Sequence, residues 1–138
     1  MSGNVEGQRN EKTAPRNSGA ATRATGTNVA VVSGSIVRSP QERIAGDGQP
    51  ILSFEVRVRR IDGLVEVVPV AWPEHSLATA GFEPGTEVVV VGRVRQRFFR
   101  SGGATQSRTE LVAEAVIGAR QHTAVRKALA RAAGRLVA

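Results

Sequence analysis

A β-hairpin is predicted by the stretch ILSFEVRVRRIDGLVEVVPVAW, residues 51–72. In its first half apolar and polar residues alternate, so one face carries Leu52, Phe54 and Val56 while the other carries mostly charged side chains. The pair Asp62-Gly63 follows and favours the tight turn between two antiparallel strands. Pro69 in the second half indicates an edge or irregular position, because proline lacks the N–H that strand pairing uses.

Similar short, valine-rich segments lie on both sides of this hairpin. Residues 28–37, 87–99 and 109–117 predict three further strands, broken from one another by glycine and proline. Gly34, inside the first of them, indicates a bulge or a sharp bend. Residues 74–80 predict a short helix. The fold expected is therefore all-β, a five-stranded OB-fold barrel with a short helix between strands 3 and 4.

The composition changes twice along the chain and divides it into three parts. Residues 1–27 are polar, without periodicity or large apolar residues beyond a few, and predict a disordered N-terminal arm. Residues 28–118 form the predicted OB-fold domain. Residues 119–138 predict a basic amphipathic α-helix, with Thr123 as its N-cap and an apolar stripe that includes Leu129.

Length and residue usage exclude several classes of protein. A chain of 138 residues suits one domain with tails, and it has no cysteine for disulfides or thiolate metal sites. No apolar run approaches the ~20 residues that cross a bilayer, and no signal peptide is recognisable, so a cytoplasmic, membrane-free protein is expected.

The charge balance points toward a nucleic-acid partner. The formal net charge is +7, and of 19 basic residues only Lys12 and Lys127 are lysine. Arginine forms bidentate contacts with phosphate and stacks on bases, which suits nucleic-acid binding. A GC-rich genome would also enrich arginine, so two explanations of this bias stay open.

The residues needed for catalysis are missing from the pattern. The chain has neither cysteine nor tyrosine, and its two histidines, His75 and His122, lie in different segments without metal-ligand spacing. The carboxylates form no recognisable acid–base pair and are expected to be solvated or paired with arginine. We therefore expect no enzyme, no cofactor and no metal.

Candidate binding residues lie in two strands and beside one loop. In the strand 87–99, alternation places Arg93, Arg95, Arg97 and Phe99 on one face and turns Phe98 inward. Cations that follow phosphates and a ring that stacks on a base are what a single strand requires. The alternative is a solvated strand face with Phe99 packed under the loop. The full set of predicted nucleic-acid-binding residues is Arg57, Arg59, Arg60, Arg93, Arg95, Arg97, Phe99, Arg100 and Arg108.

Several segments resemble the bacterial single-stranded DNA-binding protein family, including its smaller PriB-like members. These segments are NVAVVSGSIVRSPQER, GQPILSFEVRV, EPGTEVVVVGRVRQRFF and SRTELVAEAV, which together span most of residues 28–117. Phe99 falls where the family places a stacking tryptophan, whereas Leu64 and Val70 stand at two other positions that are usually aromatic. The resemblance implies a divergent or accessory member.

The resemblance implies a function as well as a fold. A member of this family would bind single-stranded DNA with little sequence preference, act in DNA replication or DNA repair, and form a homodimer or homotetramer. Two alternatives remain at this stage. OB-folds also bind RNA, and the chain could instead be an oligomeric protein-interaction adaptor that docks through its last helix.

Overall fold

The computed structural model describes residues 26–77 and 81–136, and it contains six strands and one helix there. The strands are β1 Ala30–Ile36, β2 Gln41–Ile44, β3 Pro50–Arg59, β4 Val65–Pro73, β5 Glu87–Ser101 and β6 Ala104–Gly118, and the helix is α1 His122–Gly134. The short strand β2 was not predicted and lies between the first two predicted strands. Residues 1–25 of the predicted N-terminal segment and 78–80 of the predicted short helix lie outside the described residues.

The strand pairings run in a closed circuit. β1 pairs antiparallel with both β5 and β3, β3 pairs with β4, β4 runs parallel to β6, and β6 returns to β5. β2 adds to the edge of β3 outside this circuit. The arrangement is mostly β with one helix after the last strand, and it is consistent with an OB-like fold.

The circuit requires a glycine at position 34. β1 passes β3 so closely that a Cβ atom on Gly34 would lie 2.0 Å from the carbonyl oxygen of Arg57. Ser35, the next residue, pairs with β5 and with β3 at once. The bend that the sequence suggested at Gly34 is thus a close approach between two backbones.

The core is formed by the inward residues of the circuit, and alternation in β3 is confirmed. Leu52, Phe54 and Val56 are buried together with Val88 and Val90 of β5. Residues from every strand except β2 contribute to this cluster, which also contains Ile36, Val70, Trp72, Leu111, Ala113 and Val116. Burial of this apolar surface is the main favourable contribution to folding.

Strands β5 and β6 continue past the rest of the sheet as a two-stranded arm. β1 pairs with β5 only as far as Gly92, whereas β5 pairs with β6 out to Ser101. The side-chain amide of Asn28 holds the base of the arm, because it accepts from the N–H of Val94 at 2.9 Å and donates to its carbonyl at 2.7 Å. Toward its tip the arm is exposed to solvent, including all of residues 104–109 in β6.

Helix α1 packs on the outer side of β5 through small residues. Ala128 and Ala132 are buried against Val89 and Val91, while Leu129 is exposed. The residue preceding the helix is Gln121, so the prediction of Thr123 as N-cap is wrong. Arg126, Lys127 and Arg131 face solvent. No helix in the described ranges is long and apolar enough to cross a membrane.

The helix contact yields a test of which residue docks it. Ala132→Asp should undock α1, because the carboxylate would lose its hydration against Val89 and Val91, and a helix of 13 residues is marginal alone in water. We expect far-ultraviolet circular dichroism to lose helical signal while the sheet remains. Leu129→Asp, the control, should change stability by less than about 0.5 kcal/mol. Equal effects of the two variants would contradict this docking.

Candidate nucleic-acid interface

One face of the arm carries most of the predicted binding residues. In antiparallel strands, directly opposed residues share a face. Arg93, Arg95, Arg97 and Phe99 of β5 lie opposite Val112, Glu110, Arg108 and Gln106 of β6, in that order. We call these eight residues the front face. The register therefore adds Arg108 to the same surface as the three arginines of β5.

A buried carboxylate holds two of these arginines. Glu110 is only 6% exposed, and it is the only charged residue buried in the described part of the chain. Its Oε2 accepts a hydrogen bond from Nη2 of Arg95, and its Oε1 lies 3.4 Å from Nε of Arg97. A buried carboxylate needs such partners, and it restricts the orientation of both guanidinium groups.

The two phenylalanines of the arm are arranged differently from the prediction. Phe99 lies on the front face, where the guanidinium of Arg97 is 5.2 Å from the centre of its ring. Phe98 is 66% exposed, so the expectation that it turns inward is wrong. It points to the opposite face of the arm, which has left the sheet and has no core to cover it. We call the residues Val94, Gln96, Phe98 and Arg100 the back face.

The front face continues onto β3 through a second carboxylate. Glu55 lies on the outward side of β3, and its Oε2 is 3.3 Å from Nη2 of Arg108. Its Oε1 accepts from Nη1 of Arg38 at 3.0 Å. Glu55 therefore connects the arm to β3 and to the segment between β1 and β2. Arg38, Glu55 and Glu110 are not among the residues that the sequence pattern predicts for the site.

Further along β3, two predicted arginines extend this surface. Arg57 and Arg59 share the outward side with Glu55, are exposed, and form no ion pair with another described residue. Opposite them on β4 lie Val67 and Val65, both about half exposed. The surface beside these arginines is therefore aliphatic.

Two predicted residues, Arg60 and Arg100, lie outside the surface formed by the front face and β3. Arg60 lies just past β3, and its guanidinium is 2.7 Å from Asp62 and 3.6 Å from Glu66 at the hairpin turn. Arg100 belongs to the back face near the tip of the arm, where it donates to the carbonyl of Gly103 at 3.0 Å. Both remain exposed. Their contacts are local to the two hairpin turns.

A cleft of about 230 Å³ lies where the arm meets β3 and β4. The apolar residues Phe54, Pro69 and Val70 line it together with polar residues. The polar lining consists of Arg38, Ser39, Gln41, Ser53, Glu55, Arg97, Arg108 and Glu110. Both hydrogen-bond donors and hydrogen-bond acceptors therefore border the cleft.

The aromatic residues outside the arm are not available for stacking on bases. Trp72 is buried, and its ring stacks on that of His75 with centroids 3.7 Å apart. Phe54 is a core residue, and Phe82 packs partly buried against the same cluster. Val70 is likewise buried, whereas Leu64 is exposed. Among the described residues, no group of three or more His, Cys, Asp or Glu could hold a metal ion.

Comparison with solved structures identifies a relative of the fold. The chain is similar to the dimeric N-terminal domain of PriB protein from Thermoanaerobacter tencongensis, with a TM-score of 0.54 and 15% sequence identity. The match covers 66% of this chain and 94% of that domain. No sequence family and no curated protein matches the chain. The chain thus has a fold similar to that of the PriB domain, and its architecture is consistent with an OB-like fold.

The carboxylate at the centre of the front face should matter for stability. Glu110→Gln removes the negative charge that Arg95 and Arg97 share, and should lower the free energy of unfolding by about 1–3 kcal/mol. Glu66→Gln, which breaks an exposed pair with Arg60, should cost less than about 1 kcal/mol. Urea denaturation of both variants measures the difference. Losses of similar size would show that Glu110 behaves as a surface carboxylate.

Proposed function

We propose that this chain is an OB-fold barrel that binds single-stranded DNA with little sequence preference. The proposed path runs along the front face of the arm and onto the outward side of β3. The observation that carries the proposal is the continuity of this basic surface from Arg93 to Arg97, across Arg108, to Arg57 and Arg59. The closed circuit of strand pairings supports the assignment of a barrel.

The composition of the surface favours a single strand over a duplex. Arginine side chains neutralise phosphates on any nucleic acid, but a ring such as Phe99 contacts a base only where the base is unpaired. Val65 and Val67 add aliphatic surface beside Arg59 and Arg57. No catalytic step is part of the proposal, and no cofactor is required for it.

Phosphate attraction should dominate the affinity. Trp72 and Phe54 are buried, so on the front face only Phe99 offers an aromatic ring. Stacking on an aromatic side chain contributes about 1–3 kcal/mol per base, and each absent ring lowers the total by that amount. We therefore expect weak base contact and a strong dependence on salt.

The proposal also includes an oligomeric state, a location and a biological process. The similar PriB domain is described as dimeric, and we include a homodimer, whereas the comparison lends no support to the homotetramer. A cytoplasmic location and a part in DNA replication or repair belong to the same proposal. Binding of RNA, or of protein partners alone, is an alternative that the oligomer titrations distinguish.

Removing unpaired arginines should reduce the salt dependence of binding. Arg57, Arg59 and Arg93 form no ion pair with a described residue. Replacing all three by alanine therefore leaves no carboxylate without its partner. For a single strand, removing one phosphate contact lowers the slope of log affinity against log salt by about 0.7, so the slope of the triple variant should fall by about 2. Fluorescence anisotropy of a labelled dT oligomer of about 12 nucleotides measures this slope.

A matched control and a matched ligand accompany this measurement. Replacing Arg126, Lys127 and Arg131 of α1 removes the same charge from another surface and should leave most of the slope intact. An rU oligomer of the same length tests the RNA alternative. Equal slopes in both triple variants would rule out the proposed path along the front face and β3, and tighter binding of rU than of dT would replace DNA by RNA in the proposal.

Substitutions on the two faces of the arm should differ in their effect on binding but not in their effect on stability. Phe99→Ala removes the front-face ring and should weaken dT binding by about tenfold, within the range for one stacked base. Phe98→Ala changes an exposed ring on the back face and should alter neither affinity nor melting temperature appreciably. Fluorescence anisotropy measures the dT affinity of both variants, and thermal melts measure their stability. A larger effect of Phe98 on binding would place the DNA on the back face.

A further inference from the structure

The cleft between the arm and β3 combines features that a phosphate alone does not need. Its lining includes the apolar residues Phe54, Pro69 and Val70 beside Arg97, Arg108 and Glu55. A carboxylate in the wall repels phosphate but accepts hydrogen bonds from neutral N–H groups. The cleft is also smaller than the ~300–1,000 Å³ of pockets for drug-sized ligands, so a single planar base is the unit that suits it.

Glu55 retains capacity for another ligand. One carboxylate oxygen faces Arg38 and the other faces Arg108, and each oxygen has a second lone pair. The carboxylate is 27% exposed, so a group in the cleft can reach it. Arg38 is 79% exposed and can move toward solvent, whereas Arg108 stays beside Glu55 as a donor. The pair presents an acceptor next to a donor.

Of the four DNA bases, guanine has the edge that complements this pair. Its N1–H and N2–H groups are adjacent donors that a carboxylate accepts together, and its O6 is an adjacent acceptor for a guanidinium. Adenine and cytosine each offer one amino donor beside an acceptor, and thymine offers one N–H. A carboxylate beside an arginine therefore discriminates among the bases even where the rest of the surface does not.

We propose that the cleft takes one guanine base of the bound strand, with Glu55 accepting from N1–H and N2–H and Arg108 donating to O6. The proposal rests on the proposed function, since the strand brings the base to the cleft. It adds a preference at one position to a surface that otherwise contacts phosphates. Because one good bidentate contact discriminates by about tenfold, a single guanine should raise affinity by up to that factor.

The experiment compares dT oligomers that differ at one central position. Oligomers of about 12 nucleotides with a central dT, dG, dA or deoxyinosine are titrated by anisotropy against the full chain. Inosine keeps N1–H, O6 and N7 of guanine but lacks the N2 amino group. We expect dG to bind about fivefold to tenfold more tightly than dT, and inosine to bind no better than about twofold over dT.

Variants of two glutamates assign any preference to the cleft. Glu55→Gln should abolish the advantage of dG over dT, because a neutral amide cannot accept from N1–H and N2–H together. Glu114→Gln removes the same charge from a pair with Arg135 near α1 and should keep the advantage of dG. The inosine comparison on the unaltered chain tests the proposal even if Glu55→Gln unfolds.

Three outcomes would overturn the proposal. Equal binding of dG and dT would exclude the guanine contact while the proposed function stands. Equal gains for dG, dA and inosine would mean that the larger purine ring and not its edge is preferred. A dG advantage that survives in a folded Glu55→Gln variant would place the contact elsewhere. Failure of every oligomer to bind would instead overturn the proposed function, and this proposal with it.

Discussion

The fold depends on one point where two backbones meet without a side chain between them. At Gly34, β1 comes up against β3 while it is still paired with β5, and the carbonyl of Arg57 occupies the space that a Cβ atom would need. At Gly92 a Cβ atom would lie 1.9 Å from the carbonyl oxygen of Val112, next to the irregular register between Val91 and Gly92. The first glycine lets the circuit close, and the second lies where the arm begins. The direction of the arm, and so the position of the front face, follows from these two contacts.

On and beside the front face, carboxylates pair with several of the arginines. Glu110 lies between Arg95 and Arg97, and Glu55 lies between Arg38 and Arg108. Each carboxylate lowers the net attraction for phosphate but limits the rotamers of the long side chains beside it. Since immobilising such a side chain costs about 0.5–1.5 kcal/mol on binding, a guanidinium held in place beforehand has less entropy to lose.

Sequence patterns predict the elements well because period-2 alternation reports burial directly, as with Leu52, Phe54 and Val56. Alternation distinguishes two faces but does not say what covers each, and this is why it predicts an inward Phe98 although the arm has left the sheet. β2 is not predictable in this way because QERI has no apolar alternation. In the site, the role of Glu110 could have been predicted from the sequence, because a turn at Gly102-Gly103 sets the register that places it opposite Arg95. The role of Glu55 could not, because its contact with Arg108 joins residues 53 positions apart.

The burial of Trp72 allows two optical measurements to be made separately on this protein. It is the only tryptophan of the chain, and its ring lies in the core against His75 and 6.2 Å from Phe82. Its intrinsic fluorescence therefore reports the integrity of the core and of the segment after β4. A nucleic-acid strand bound over the front face would leave the emission of Trp72 almost unchanged. One sample can thus yield occupancy from a label on the nucleic acid and foldedness from the protein, each without interference from the other.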